Sequence, residues 1–195
     1  KKPKLVVGLV VDQMRYDYLD RFYDDFSEGG FKRLLNEGFN CKNVHYNYKP
    51  TYTGPGHASI FTGVAPAVHG IVGNYWYDQS QNKSVYCVKV GTDQNPSRLL
   101  VETLADEMKQ FSNFKSKSFG ISLKDRGAIL PAGHLADGAY WFNSKQGKWI
   151  SNQYYQKDNP DWLKKFNGQD FEKSYLANGW KLLKDSTAYS ESWPD

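Results

Sequence analysis

The chain has 195 residues, 39% of them hydrophobic and 16% aromatic, with a formal net charge of +4. That is enough apolar material for one domain with a core, and it excludes an intrinsically disordered chain. The 25 basic and 21 acidic residues are interspersed, which argues against nucleic acid as a specific partner and is compatible with an anionic small substrate.

No apolar run reaches the ~18 residues that a membrane span needs, the longest being Leu5 to Val11 with Gly8 inside it. No segment reads as a signal peptide, and a mature exported chain beginning at Lys1 would read the same. Cys41 and Cys87 lie outside any CxxC or Cys/His cluster, so a structural zinc site of that kind is not expected. Their spacing leaves one disulfide or two free thiols open.

In chain order, residues 4–11 ("KLVVGLVV") read as a buried strand of the central parallel kind. Asp12 follows at its carboxyl end, where ligands sit in open α/β sheets. Residues 16–26 and 30–37 read as helices, the second closed by Gly38, and 39–48 alternates like a strand. In "PTYTGPGHASIFTG", residues 50–63, Pro50 stiffens the approach and Gly54 and Gly56 permit a tight backbone. Pro55 suits a first helical turn. Ala58 to Thr62 is helix-like, and Gly63 ends it.

Residues 64–78 are turn-rich, 83–87 form a short strand, and 91–96 form a polar loop. Ser97 to Gln110 reads as a helix with Leu99, Leu100, Thr103, Leu104 and Met108 on one face. Residues 117–124 read as a further strand, and "GAYWFN" with "GKWISNQYY" as a hairpin around Lys145-Gln146-Gly147. Two short helices follow at 160–167 and 171–178. Strands alternating with helices argue for α/β with a mainly parallel sheet flanked by helices. The segment from about 138 to 195 is a small α+β elaboration on that core.

Several residues have a bland and a chemical reading. Asp12 is a turn or capping residue, or a metal-ligating or catalytic carboxylate. Thr53 is a helix N-cap, or a nucleophile facing a phosphate held at a helix N-terminus. A hydroxyl there attacks phosphorus if a bound metal lowers its pKa. His57, four residues later, is a base or a local packing residue, and His69 reads as a turn residue. Asn74 is a turn residue tolerating positive φ, or an amide donor to an anionic oxygen. Lys124 and Arg126 are a solvated strand end, or two cations aimed at one anion.

Four ordered motifs, "KLVVGLVVDQMRYDYLDRF", "PTYTGPGHASIFTG", "VHGIVGNYWYD" and "SLKDRGAILPAGH", resemble the alkaline phosphatase superfamily. They are most similar to its bacterial, threonine-nucleophile PafA-type alkaline phosphatases, relatives of the nucleotide pyrophosphatase/phosphodiesterases. The resemblance runs from about Lys4 to about Gly179. It implies an alkaline-phosphatase-like core and hydrolysis of small-molecule phosphate monoesters at a two-zinc site, through a covalent phosphothreonine. By the same resemblance, Asp12 matches a zinc ligand, and Thr53 matches the nucleophile that also bonds zinc as its alkoxide. Asn74 matches the amide donor to a phosphoryl oxygen, and Lys124 and Arg126 the pair characteristic of the monoesterases. A monoester carries two negative charges where a diester carries one, so two cations favour the monoester. The alternative is a phosphodiesterase of the same superfamily. A histidine base is unnecessary where a metal activates the nucleophile, so His57 receives no catalytic role. The relatives are exported, which implies a periplasmic or secreted protein; the oligomeric state is not implied.

Two departures from the family pattern stand out. The other Asp and His zinc ligands of the family have no counterpart between Asp12 and Asp195, and zinc normally takes about three or four protein ligands. The 195 residues are therefore expected to be the N-terminal portion of one longer catalytic domain; a complete chain of this length would be a non-catalytic anion-binding module. The loop from Val88 to Pro96 is also shorter than in the relatives.

Overall fold

The computed structural model describes residues 3–156 and 158–189. Residues 5–11 form no regular element and join no ladder among the described residues. Leu5, Val7 and Leu9 are 78%, 76% and 81% exposed, so the buried strand expected there is not formed within this chain. A central strand is buried by neighbours on both edges, and no described strand reaches this one. Residues 39–48, also expected as a strand, are likewise unpaired.

The helix expected over 16–26 breaks into α1 (Tyr18–Arg21) and a 3-10 turn (Tyr23–Asp25), followed by α2 (Phe31–Glu37). None of the three buries a residue, and a short helix without a packed face has little to sustain it.

From residue 53 onward the chain packs. Helix α3 spans Thr53–Thr62 and ends at Gly63, whose φ of 72° is the left-handed conformation of a C-terminal cap. It begins earlier than the expected Ala58, because Pro55 lies in the first turn, where no backbone N–H is needed. Helix α4 (Pro66–His69) follows; His69, read from the sequence as a turn residue, is the last residue of this helix and is fully buried.

Strands β1 (Tyr75–Asp78) and β2 (Lys83–Tyr86) pair antiparallel. The segment expected as a loop contains a second hairpin, β3 (Lys89–Val90) with β4 (Asp93–Gln94). Helix α5 covers Leu104–Phe111 rather than starting at Ser97, because Thr103 and Asp106 form a reciprocal capping box at its start. Its buried residues are Asp106 and Lys109, while Leu104 and Met108 are exposed. Both charges are satisfied inside: Asp106 accepts from the backbone N–H of Thr103 and of Leu135, and Lys109 donates to Asp137.

The chain is α/β. Strand β5 (Phe119–Ser122), helix α6 (Asp125–Ala132) and strand β6 (Gly138–Asn143) form a βαβ unit, with β5 and β6 parallel. Strand β7 (Lys148–Ile150) returns antiparallel on β6, as the hairpin around Lys145 predicted. Helix α7 (Asp161–Asn167) is tied to β7 by Asn167, whose side chain bonds both backbone groups of Trp149. Helix α8 (Phe171–Leu176) and a 3-10 turn (Ser186–Tyr189) complete the order.

The core joins Ala58 of α3, Ile71, Cys87 and Leu99 to Ala128, Ile129 and Leu130 of α6 and Trp141 of β6. Helix α6 sits so close to β5 that a Cβ on Gly120 would lie 2.1 Å from the carbonyl oxygen of Ala128. Cys41 is exposed, Cys87 is buried and both are free thiols. This packing brings the N-terminal ends of α3 and α6 side by side.

Candidate active site

Thr53 is the first residue of α3, after Tyr52 in extended conformation. Its Oγ1 donates a 2.9 Å hydrogen bond to Oδ2 of Asp12. The other carboxylate oxygen, Oδ1, accepts the backbone N–H of Gln13 at 3.0 Å. Gln13 has a φ of 61°, so the chain turns sharply just after Asp12 and leaves its carboxylate facing Thr53. Both residues line a cleft of about 350 Å³, together with Tyr46, Tyr52, His57 and Ile60. The sequence-predicted Asp12 and Thr53 thus meet in one place.

Asn74 is attached to the same helix end by a different route. Its Oδ1 accepts the backbone N–H of Gly54 at 2.7 Å, which assigns the amide and leaves its NH₂ as a donor with no hydrogen bond among the described residues. Its backbone carbonyl accepts from Cys87 at 3.0 Å. A side chain at residue 54 would be crowded on three sides: a Cβ would lie 3.0 Å from Asn74 Oδ1, 3.2 Å from the Gly73 carbonyl oxygen and 3.3 Å from Cys87 Sγ.

His57 is buried, and its Nδ1 lies 2.8 Å from the Thr53 carbonyl oxygen, to which it donates. The ring braces the first turn of α3 from within.

Lys124 caps the start of α6, and its ammonium group is exposed with no ion-pair partner among the described residues. Arg126, in the first turn of α6, is half-buried. Its Nη1 donates to the Tyr86 hydroxyl at 3.0 Å, and its guanidinium carbon lies 5.9 Å from the centre of the Tyr86 ring. Burial works against the Arg126 charge, but the Tyr86 bond and the nearby Asp125 carboxylate outweigh it and raise its pKa further. Asn74, Lys124 and Arg126 stand outside the lining of the cleft that holds Asp12 and Thr53.

Cys87 lies between the two helix starts. Burial pushes its thiol up to about 12, with Arg126 working the other way. It is a neutral packing group at any ordinary pH and not a nucleophile.

A carboxylate oxygen and a hydroxyl oxygen 2.9 Å apart are suitable donors for zinc. No group of three or more His, Cys, Asp or Glu able to hold a metal exists among the described residues. Zinc takes about four ligands, so Asp12 and Thr53 fit as part of a ligand set and not as the whole of one.

Two residues to which the sequence reading gave no role shape this region: Tyr86 and Asp125. Asp125 stands between the two proposed cations, yet nothing local announces that its partner is a tyrosine at the end of a strand 39 residues earlier.

The chain belongs to the type I phosphodiesterase / nucleotide pyrophosphatase family, whose sequence profile matches residues 6–190. Within that family it is 50% identical over 206 residues to the alkaline phosphatase PafA of Elizabethkingia meningoseptica, covering 100% of this chain and 38% of that protein. A protein of Myroides odoratus named a calcium-transporting ATPase is also 50% identical, over 207 residues, with the same coverage of 100% and 38%. The crystal structure of wild-type PafA superimposes with a TM-score of 0.95 at 49% identity, over 100% of this chain and 40% of that one. A PafA variant carrying one threonine-to-serine change, with an asparagine, a lysine and an arginine changed to alanine, superimposes at 0.94 and 46% identity. The chain therefore spans 38% of the length of both named relatives.

Proposed function

We propose that the full-length protein is an alkaline phosphatase that hydrolyses small-molecule phosphate monoesters, with Thr53 as the nucleophile. One observation carries this reading: the Thr53 hydroxyl sits at the first residue of α3, bonded to Asp12, while the next N–H is bonded to Asn74. A phosphoryl group placed there meets a nucleophilic oxygen, a helix N-terminus and an amide donor together.

In the proposed reaction, Thr53 Oγ1 loses its proton and bonds to phosphorus as the ester oxygen departs. The alcohol leaves and a phosphothreonine remains. Water then attacks that phosphorus, releasing inorganic phosphate and restoring the hydroxyl. Asn74 donates through its amide to a non-bridging oxygen, and Lys124 and Arg126 balance the two charges of a monoester. The types of the four residues substituted in the PafA variant support these assignments, because they are the threonine, asparagine, lysine and arginine proposed here.

Two bound zinc ions would supply Lewis acidity, lowering the pKa of the attacking hydroxyl and neutralising charge on oxygen. Asp12 and Thr53 are the residues of this chain that would hold them, with further ligands supplied from outside it. By the same reasoning the 195 residues work as part of one longer catalytic domain. A periplasmic or secreted location accompanies this reading; no described helix is long and apolar enough to cross a membrane.

The test is steady-state hydrolysis of p-nitrophenyl phosphate and of its methyl diester at alkaline pH, with chelator and with added zinc. The expected result is a monoester rate far ahead, abolished by chelator and restored by zinc. A diester rate ahead would overturn the specificity, and no turnover of either ester would overturn the reading itself.

A further inference from the structure

The first turn of α6 and the end of β2 share a closed hydrogen-bond network of which the catalytic reading uses only Arg126. Tyr86, the last residue of β2, donates its hydroxyl proton to Oδ1 of Asp125 at 2.6 Å. The same Oδ1 accepts the backbone N–H of Arg126 at 2.8 Å. The direction of each bond is determined, since a carboxylate only accepts and a guanidinium only donates. The Tyr86 proton must therefore point at Asp125, which turns the lone pairs of its oxygen towards Arg126 Nη1, 3.0 Å away.

We infer that Tyr86 and Asp125 are positioning residues that fix the plane of the Arg126 guanidinium, and thereby set the preference for the doubly charged monoester. The inference rests on the reading of Arg126 as a phosphoryl-binding residue. An arginine side chain has many rotamers, and its planar fork binds a phosphate bidentately only when that plane is held. Anchoring Nη1 on the Tyr86 hydroxyl, with the guanidinium carbon 5.9 Å from the centre of that ring, restricts the orientations open to it. Burial, then the bond to Asp125, pushes the Tyr86 phenol well above its ordinary range, which favours the protonated hydroxyl that donates in this network. The neighbouring Cys87 thiol is neutral as well and does not compete for the guanidinium.

A brace that only pins β2 to α6 makes a different forecast. It would lower stability, and would lower turnover of monoesters and diesters by the same factor.

The experiment uses the full-length protein carrying Tyr86→Phe, Asp125→Asn, Arg126→Ala, and Tyr86→Phe combined with Arg126→Ala. The readouts are kcat/KM on p-nitrophenyl phosphate and on its methyl diester, inhibition by inorganic phosphate, and the thermal midpoint. Tyr86→Phe keeps the ring and loses one bond to a charged group, so monoester kcat/KM and phosphate affinity should each fall about tenfold. Diester kcat/KM should fall less than about twofold, since the weaker charge draws less on Arg126. In the Arg126→Ala background, Tyr86→Phe should cost nothing more, as expected of residues acting through one another. Asp125→Asn, which keeps an acceptor of lower charge, should give the same selective pattern more weakly. It supplies the answer if Tyr86→Phe does not fold. Equal losses on both esters, or a silent Tyr86→Phe beside a damaging Arg126→Ala, would overturn the inference and leave the proposed function standing. A silent Arg126→Ala would instead remove the role of Arg126 on which both depend.

Discussion

The hydroxyl of Thr53 and the carboxylate of Asp12, 41 residues apart in sequence, meet at 2.9 Å. The bond brings a nucleophile candidate and a metal-ligand candidate to the same few ångströms, with the carboxylate held on its other side by Gln13. Thr53→Ala removes the attacking oxygen and little else, because Thr53 is only partly buried. Turnover of p-nitrophenyl phosphate should fall at least ~1,000-fold, the scale of losing a covalent nucleophile, with the thermal midpoint nearly unchanged. Acid quenching of the wild type during turnover should leave phosphate on Thr53 by mass spectrometry; phosphate on another residue would reassign the nucleophile.

Gly54 packs tightly against Gly73, Asn74 and Cys87. A methyl group there would press on Asn74 Oδ1, the Gly73 carbonyl and Cys87 Sγ together, at 3.0–3.3 Å. Gly54→Ala should cost about 1–3 kcal/mol of stability, the usual range for overpacking a tight site. It should also lower kcat, because the shift separates the Thr53 end of the helix from Asn74. Gly56→Ala, with open space around its Cβ position, should be near neutral in denaturant titrations run side by side.

His69 gives the fold a pH dependence whose sign follows from its bonds. Its Nδ1 accepts the backbone N–H of Ile71 at 3.1 Å, so Nε2 carries the proton and donates to Ser59 Oγ at 2.9 Å. Burial lowers its pKa below the ordinary 6.5, against a smaller opposing backbone contribution. The unfolded chain therefore takes up a proton before the folded one does. Stability should be full above about pH 6.5 and decline as pH falls through that value, by at most ~1.4 kcal/mol per pH unit from this group. Denaturant midpoints of the wild type and His69→Gln between pH 7.5 and 5.5 should converge towards acid; parallel curves would refute the assignment.

Asp137 receives Lys109 at 2.7 Å and Lys117 at 2.9 Å, from surroundings that differ sharply. The Lys109 side chain is 7% exposed and that of Lys117 is 70% exposed. Burial alone would raise the Asp137 pKa; the Lys109 bond and the Ser118 N–H outweigh it and hold the carboxyl at about 2. Lys109→Met leaves a mostly buried carboxylate under-compensated and should cost about 2–3 kcal/mol. Lys117→Met should cost less than about 1 kcal/mol. Since the folded pKa is depressed, the Asp137 contribution should be intact above pH 4 and disappear towards pH 2, readable by acid titration of circular dichroism.

What could be read from the chain itself was whatever a few neighbouring residues decide. Gly63 ended α3, Gly147 turned the β6–β7 hairpin, and residues 117–124 and 138–143 read as strands, because turn and strand chemistry act over two to five residues; helix α6 between those strands was not read from the sequence. The ordered motifs also singled out Asp12, Thr53, Asn74, Lys124 and Arg126 without any coordinates. Tertiary structure decided the rest. The apolar run at 5–11 lacked strand neighbours, and α5 started at its Thr103–Asp106 capping box and buried Asp106 and Lys109 in place of Leu104 and Met108. Likewise, Arg126 found Tyr86 from 40 residues away. In each case the deciding partner lies far along the chain or is a buried polar bond. Local hydrophobic periodicity records whether a residue prefers water, but not which distant donor or acceptor will satisfy it when water is excluded.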